Sequence, residues 1–160
     1  MITEQRAVFG LRVFLVVMFG VLLLLQVMSL PGQFRHMAEE SPESAYLRWP
    51  LTLVSLFWVL CVQVVIVSTW KLLTLVKNDE IFSAASVIWV NAIVWAIAAA
   101  WVVFLGLFLY FGFFVADDPG VLILMFLLLV GVAVIGLLMV VMRALLLRAT
   151  ALRTDLETVI

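Results

Sequence analysis

Residues 81–116 read IFSAASVIWVNAIVWAIAAAWVVFLGLFLYFGFFVA, 36 consecutive positions without an Asp, Glu, Lys or Arg. Acidic residues bracket the run, with Asp79 and Glu80 in front and Asp117 and Asp118 behind. At about 1.5 Å per residue, a helix of that length is roughly 54 Å long, against ~30 Å of hydrocarbon in a bilayer. Part of it must lie outside the lipid. Ser83 and Ser86 interrupt the apolar residues of the first turns, whereas 87–114 carries Asn91 as its only strongly polar side chain. The stretch predicts an interfacial elbow over 81–86 and a spanning helix over 87–114.

The rest of the chain has the same character. Of its 160 residues 68% are apolar and 12% charged, with a mean hydropathy of +1.33. Soluble domains hold apolar residues to about 45–50%, and no water-soluble core of this size hides so much apolar surface. The net charge of −1 gives no cluster of cations to displace counterions, so direct nucleic-acid binding is not expected. Cys61 is the only cysteine, which excludes an intrachain disulfide and a paired-thiol redox centre.

Three further spans flank the third. After Glu4, Arg6 and Arg12 the chain is uncharged over 13–34, and Pro31-Gly32 predicts a helix stop near the end of a first span at about 8–30. The apolar run exceeds the core of a signal peptide, so a retained helix is expected. The loop over 33–48 is the most polar stretch; Ser41 reads as an N-cap and Pro42 as the first residue of a short helix over 42–47. Tyr46 and Trp49 stand where an aromatic belt belongs. The second span covers 49–70, and a polar loop over 71–80 follows. Asp118 predicts a cap and Pro119 the start of the fourth span, 119–142. The expected fold is all-α, a single integral membrane domain forming a left-handed four-helix bundle with a cytoplasmic elbow and a cytoplasmic helical extension over 143–160.

With four spans both termini share a side with the 71–80 loop. That side holds Arg6, Arg12, Lys71, Lys77, Arg143, Arg148 and Arg153; the other holds Arg35 and Arg48. The positive-inside rule places both termini in the cytoplasm.

Leu145, Ala149, Leu152, Leu156 and Val159 are spaced 4, 3, 4, 3, one apolar stripe on the extension. Two readings stand: the stripe rests on the elbow or the headgroups, or it docks a cytosolic or identical partner. In the third span Ala92, Ala96 and Ala100 form a ladder of small residues that lets another helix approach closely, facing either the bundle interior or a second copy. Trp95 and Trp101, opposite the ladder, read as packing or lipid-facing bulk. Gln26, Gln63 and Asn91 are the amides within the spans. Gln63 and Asn91 fall toward the same depth on antiparallel neighbours and are expected to hydrogen-bond as structural glue; a polar pore lining is the alternative.

Chemistry is sparse. The lone His36, among Glu39, Glu40 and Glu43, reads as a solvated loop residue, since a dedicated metal site wants three or four converging ligands. No histidine or carboxylate occurs inside a span, so general acid–base work has no titratable group there and no cofactor is expected. An embedded carboxylate of the kind that drives proton-coupled export is missing as well.

Three segments carry a family likeness. NDEIFSAASVIWVNAIVWA at 78–96, PESAYLRWPLTL at 42–53 with CVQVV at 61–65, and MRALLLRATALRTDLETVI at 142–160 resemble the family known as domain of unknown function 2975. The resemblance covers nearly the whole chain; the segment around Ile81, Phe82 and Ser83 and the tail are its distinctive parts. It implies a four-span protein of the bacterial inner membrane, often encoded beside a small helix-turn-helix regulator, and no known reaction or site residue. Two function classes emerge: a non-enzymatic regulator or accessory subunit acting through helix faces and the tail, alone, as a homo-oligomer or with another membrane protein, and a small oligomeric transporter or channel around Gln63 and Asn91.

Overall fold

The computed structural model describes residues 2–40, 42–114 and 118–159, and no strand occurs among them. Five α-helices follow in order: α1 (Ile2–Leu24), α2 (Leu30–Glu40), α3 (Arg48–Lys77), α4 (Ala84–Phe114) and α5 (Pro119–Val159). A π-helical turn (Leu25–Ser29) joins α1 to α2, and a 3-10 helix (Pro42–Leu47) precedes α3. The fold is all-α, with four segments long and apolar enough to cross a membrane: Ile2–Ser29, Ala45–Lys77, Ala84–Phe114 and Pro119–Val159. Phe9, Phe14, Ile88, Phe113, Phe114, Ile123 and Leu127 point outward, an apolar exterior on a scale that only lipid or protein can cover.

The chain divides into two compact units, residues 1–70 and 71–160. In the first, Leu15 and Ile66 are buried. The Arg12 guanidinium lies 5.1 Å from the Trp70 ring centroid, and at the other end of the span that of Arg48 lies 5.5 Å from Trp49. Trp49 and Trp70 are separated on α3 by about 32 Å of helix, the thickness of a hydrocarbon layer. A cation over an aromatic face at each border is the arrangement favoured where charge must stay in the headgroup zone while the ring reaches inward.

Two expectations for this unit need correction. Pro31-Gly32 does not stop the helix; α2 runs through them to Glu40. Pro31 has no N–H to give to the preceding turn, and the ladder slips into the π-helical register over Leu25–Ser29 before α2 restarts at Leu30. Part of the polar stretch over 33–48 is consequently helical, with i,i+4 pairs Arg35–Glu39 at 3.1 Å and His36–Glu40 at 3.7 Å on the exposed face. Ser41, the expected N-cap, lies outside the described residues, while Pro42–Leu47 is the short helix the sequence predicts.

The second unit is an antiparallel hairpin of α4 and α5. Ile97 packs at Gly136, the Trp101 indole Nε1 donates to the Leu129 carbonyl at 3.0 Å, Phe108 faces Phe126 with centroids 6.3 Å apart, and Gly112 lies beside Leu122. On α5 the half-buried or buried positions Leu122, Met125, Leu129, Val132, Gly136 and Met139 alternate by three and four residues, the pattern of a helix facing one neighbour along its whole length. Gly136 is a close approach: a Cβ there would stand 3.2 Å from Ile97 Cγ2, and the Ile97 side chain would have to give by a few tenths of an ångström. At the start of α5, Asp118 Oδ1 accepts from the Gly120 N–H at 2.9 Å, so Asp118 caps and Pro119 opens the helix as the sequence predicts. Asp117, Ala116 and Val115 lie outside the described residues.

The polar loop expected over 71–80 is largely helix. α3 continues to Lys77, seven residues past Trp70, because a charged residue such as Lys71 interrupts an apolar run without interrupting a helix. α4 begins at Ala84 rather than at 87.

Candidate functional site

The turn between α3 and α4 is built by backbone chemistry. The Asn78 N–H donates to the Thr74 carbonyl at 3.1 Å, Asp79 to Val76 at 3.2 Å and Glu80 to Leu75 at 2.9 Å. The last two bonds, with Asp79 at φ 57°, make a Schellman cap, whose left-handed residue is usually glycine. Asp occupies that conformation at some cost, since its Cβ crowds the following carbonyl. Residues 81–83 then turn the chain, and Ser86 Oγ donates to the Ser83 carbonyl at 2.7 Å, fixing the first turn of α4. Ser86 is 0% exposed.

The far end of α5 comes back to this turn. Arg153 Nη1 donates to the Asp79 carbonyl at 3.4 Å, across 74 residues of sequence, while its Nε lies 3.3 Å from Glu157 Oε1. Beside this tie, Ile81, Phe82, Ala149, Leu152 and Leu156, with Asp79 and Arg153, line an open groove of about 570 Å³. Its floor is apolar and its rim charged. Of the predicted stripe, Ala149, Leu152 and Leu156 therefore line a common groove with the elbow, whereas Leu145 and Val159 lie outside the groove wall. Leu152 and Leu156 remain 64% and 65% exposed, so the elbow covers the stripe only in part. Thr150 Oγ1, Ser83 Oγ and Arg143 Nε are buried without a hydrogen-bond partner among the described residues. The Lys71 ammonium stands 5.9 Å from the Trp89 ring centroid.

The span amides lie in both units. Gln63, 8% exposed, is paired with Gln26 in the first unit: Gln63 Nε2 donates to Gln26 Oε1 at 2.9 Å and Gln26 Nε2 to Gln63 Oε1 at 3.4 Å. Gln26 sits within the π-helical turn. Asn91 is half-buried on α4, in the second unit. In the alanine ladder Ala96 is buried, Ala92 and Ala100 half-buried. Trp95 faces outward and Trp101 is the indole that reaches Leu129. Among the described residues no group of three or more His, Cys, Asp or Glu is placed to hold a metal ion.

The Gln26–Gln63 pair and the Arg153–Asp79 tie are the functional geometry that sequence reasoning missed. A signal for the first existed, an amide in each of two adjacent spans, but their relative register did not. For the second there was none, because a backbone carbonyl carries no residue type.

Residues 32–160 match the family described as "Protein of unknown function (DUF2975)". The chain belongs to that family. No curated protein and no solved structure matches it.

Proposed function

We propose that this DUF2975 member is a multi-pass protein of the bacterial inner membrane, both termini cytoplasmic, that regulates or assists other proteins through helix–helix and tail contacts and performs no catalysis itself. The observation that carries this reading is the groove shared by the elbow and the α5 tail, whose apolar floor is left open by the chain's own residues. Support for the orientation comes from the Lys/Arg asymmetry, seven cations against two. The partner is another membrane protein, a second copy, or a cytosolic protein; the family's genomic neighbourhood favours a small helix-turn-helix regulator as the cytosolic one. Nucleic acid is reached, if at all, through such a partner.

The test is a photoreactive residue placed at Leu152 in the full-length chain, irradiated in intact cells. The expected result is an adduct with a defined protein, lost when residues 145–159 are removed. No adduct, or a reporter fused after residue 160 that proves to be exported, overturns the reading.

A small oligomeric transporter or channel is the second reading, favoured by the paired amides of half-buried Gln26 and buried Gln63. Each occupies the other, which speaks for glue over a pore lining. Flux of ions or small solutes in proteoliposomes, abolished by Gln63→Leu, would establish it instead.

A further inference from the structure

We propose that the cation-bearing end of the α4–α5 hairpin holds the phosphate of an anionic phospholipid, with Arg143 and Lys71 as its two contacts. The site is separate from the groove and stands apart from the partner reading, whichever side of the membrane this end faces.

Register brings the two cations to one level. Along the hairpin Ile97 lies at Gly136, Phe108 at Phe126 and Gly112 at Leu122, so the antiparallel pairing advances one residue against one. Continued toward the tail, it sets Arg143 opposite the turn of α4 that carries Trp89 and Val90, and the tie of Arg153 to Asp79 keeps the same register further out. The Lys71 ammonium, in the same unit, stands on that turn, 5.9 Å from the Trp89 ring centroid. Arg143 belongs to the α5 face that packs on α4: after Leu129, Val132, Gly136 and Met139 the buried or half-buried positions continue by four and three to Arg143 and Leu146.

Neither cation has an anion of its own. Arg143 Nε is buried without a hydrogen-bond partner, and neither Arg143 nor Lys71 joins an ion pair among the described residues. An ammonium over a ring face keeps N–H donors to give elsewhere. The carboxylates of this end stand farther out: Asp79 and Glu80 lie near the level of Arg153, about 15 Å beyond Arg143, and Asp155 and Glu157 follow on α5. A half-buried guanidinium beside the level of an ammonium therefore calls for an anion from outside the chain.

Depth names that anion. α5 is uncharged from Pro119 to Met142, 24 residues or about 36 Å of helix. α3 is uncharged from Trp49 to Trp70, 22 residues or about 33 Å. Against ~30 Å of hydrocarbon and ~40–45 Å with both headgroup layers, a span centred in the bilayer puts the residue just past either run among the headgroups. Phosphate is the acceptor present there, and basic residues between helices at that depth are how membrane proteins hold anionic headgroups. A phosphatidylglycerol headgroup leaves its phosphate charge uncompensated, whereas phosphatidylcholine brings a cation of its own against Arg143 and Lys71, a like-charge contact. The site thus selects headgroups of net negative charge.

The experiment uses the full-length chain in neutral detergent micelles, with native mass spectrometry reading the lipid retained from an equimolar mixture of phosphatidylglycerol and phosphatidylcholine of identical acyl chains. The chain is expected to retain phosphatidylglycerol about tenfold over phosphatidylcholine, and Arg143→Gln and Lys71→Gln each to cut that preference about fivefold, the weight of one cation at a membrane surface. Lys77→Gln and Arg148→Gln, which remove cations farther out, should leave it within about twofold. Equal retention of the two lipids by the parent chain overturns the proposal without any variant having to fold. So does a preference indifferent to Arg143→Gln or to Lys71→Gln. Equal losses at all four positions overturn it too, since they describe a basic collar with no site, and so does displacement of the retained lipid by excess inorganic phosphate, which makes the ligand a soluble anion.

Discussion

Gln26, in the π-helical turn after α1, and Gln63, on α3, hold each other by two side-chain bonds, 2.9 and 3.4 Å. Breaking the pair would leave a part-buried amide without its partner, so the pair is worth more through the penalty of breaking it than through its own strength. Gln26→Leu and Gln63→Leu are each expected to destabilise the protein by about 1–2 kcal/mol, each leaving an orphaned amide. The double variant should lose less than the sum, with a coupling of about 0.6–1.7 kcal/mol. Unfolding equilibria in mixed micelles measure the cycle, and additive losses would show that the bonds carry no weight.

The hairpin depends on close approach at one glycine. Gly136→Val is expected to cost about 1–3 kcal/mol, because the added atoms meet Ile97, and Ile97→Ala should recover part of that loss. Gly131, where a Cβ meets nothing within 4 Å, is the control: Gly131→Ala should be neutral or gain up to about 1 kcal/mol from helix propensity. The same unfolding measurement separates the two sites.

Ala96 is 8% exposed whereas Ala98 on the same helix faces outward. Ala96→Leu should overpack its site and cost about 1–3 kcal/mol, while Ala98→Leu should leave thermal stability in detergent unchanged. Equal behaviour of the two variants would deny the ladder any packing role.

Asp79 bears a left-handed backbone at φ 57°. Asp79→Gly removes the Cβ clash and is expected to be neutral or to stabilise by up to about 1 kcal/mol, while Asp79→Val should destabilise by about 1–2 kcal/mol. The Arg153 bond is to the Asp79 carbonyl, so the glycine variant keeps it. A disulfide between cysteines placed at 82 and 152, with Cys61 replaced by Ser, should therefore form as readily in the Asp79→Gly background as in the parent.

What the sequence reveals here is where the long apolar helices fall. Uncharged runs located all four spans, and the Asp118-Pro119 pair located the start of α5, because capping is a local matter of one side chain and the next two residues. Helix boundaries away from caps were not legible in the same way. Lys71 closes the uncharged run but not the helix, which runs on to Lys77, since a charged residue is as content in a helix as in a loop. Pro31 predicts a helix stop, whereas the helix shifts register before it and restarts. Long-range pairings were less legible still. Which amide meets Gln63 depends on the axial register of two helices 37 residues apart in sequence, and spacing within each helix does not encode it. The stripe on the tail was readable from its period, but its share in a groove with Ile81 and Phe82 was not, because that depends on how far α5 travels beside α4.

From Leu137 to Val159 α5 contains neither glycine nor proline, so nothing in it bends easily. Such a rod behaves as a lever with its fulcrum in the bilayer: a tilt of about 10° near Arg143 swings the tip, roughly 24 Å away, by about 4 Å. Small adjustments among the buried rods are thereby magnified at the aqueous end, where the mouth beside Phe82 would widen or narrow in step.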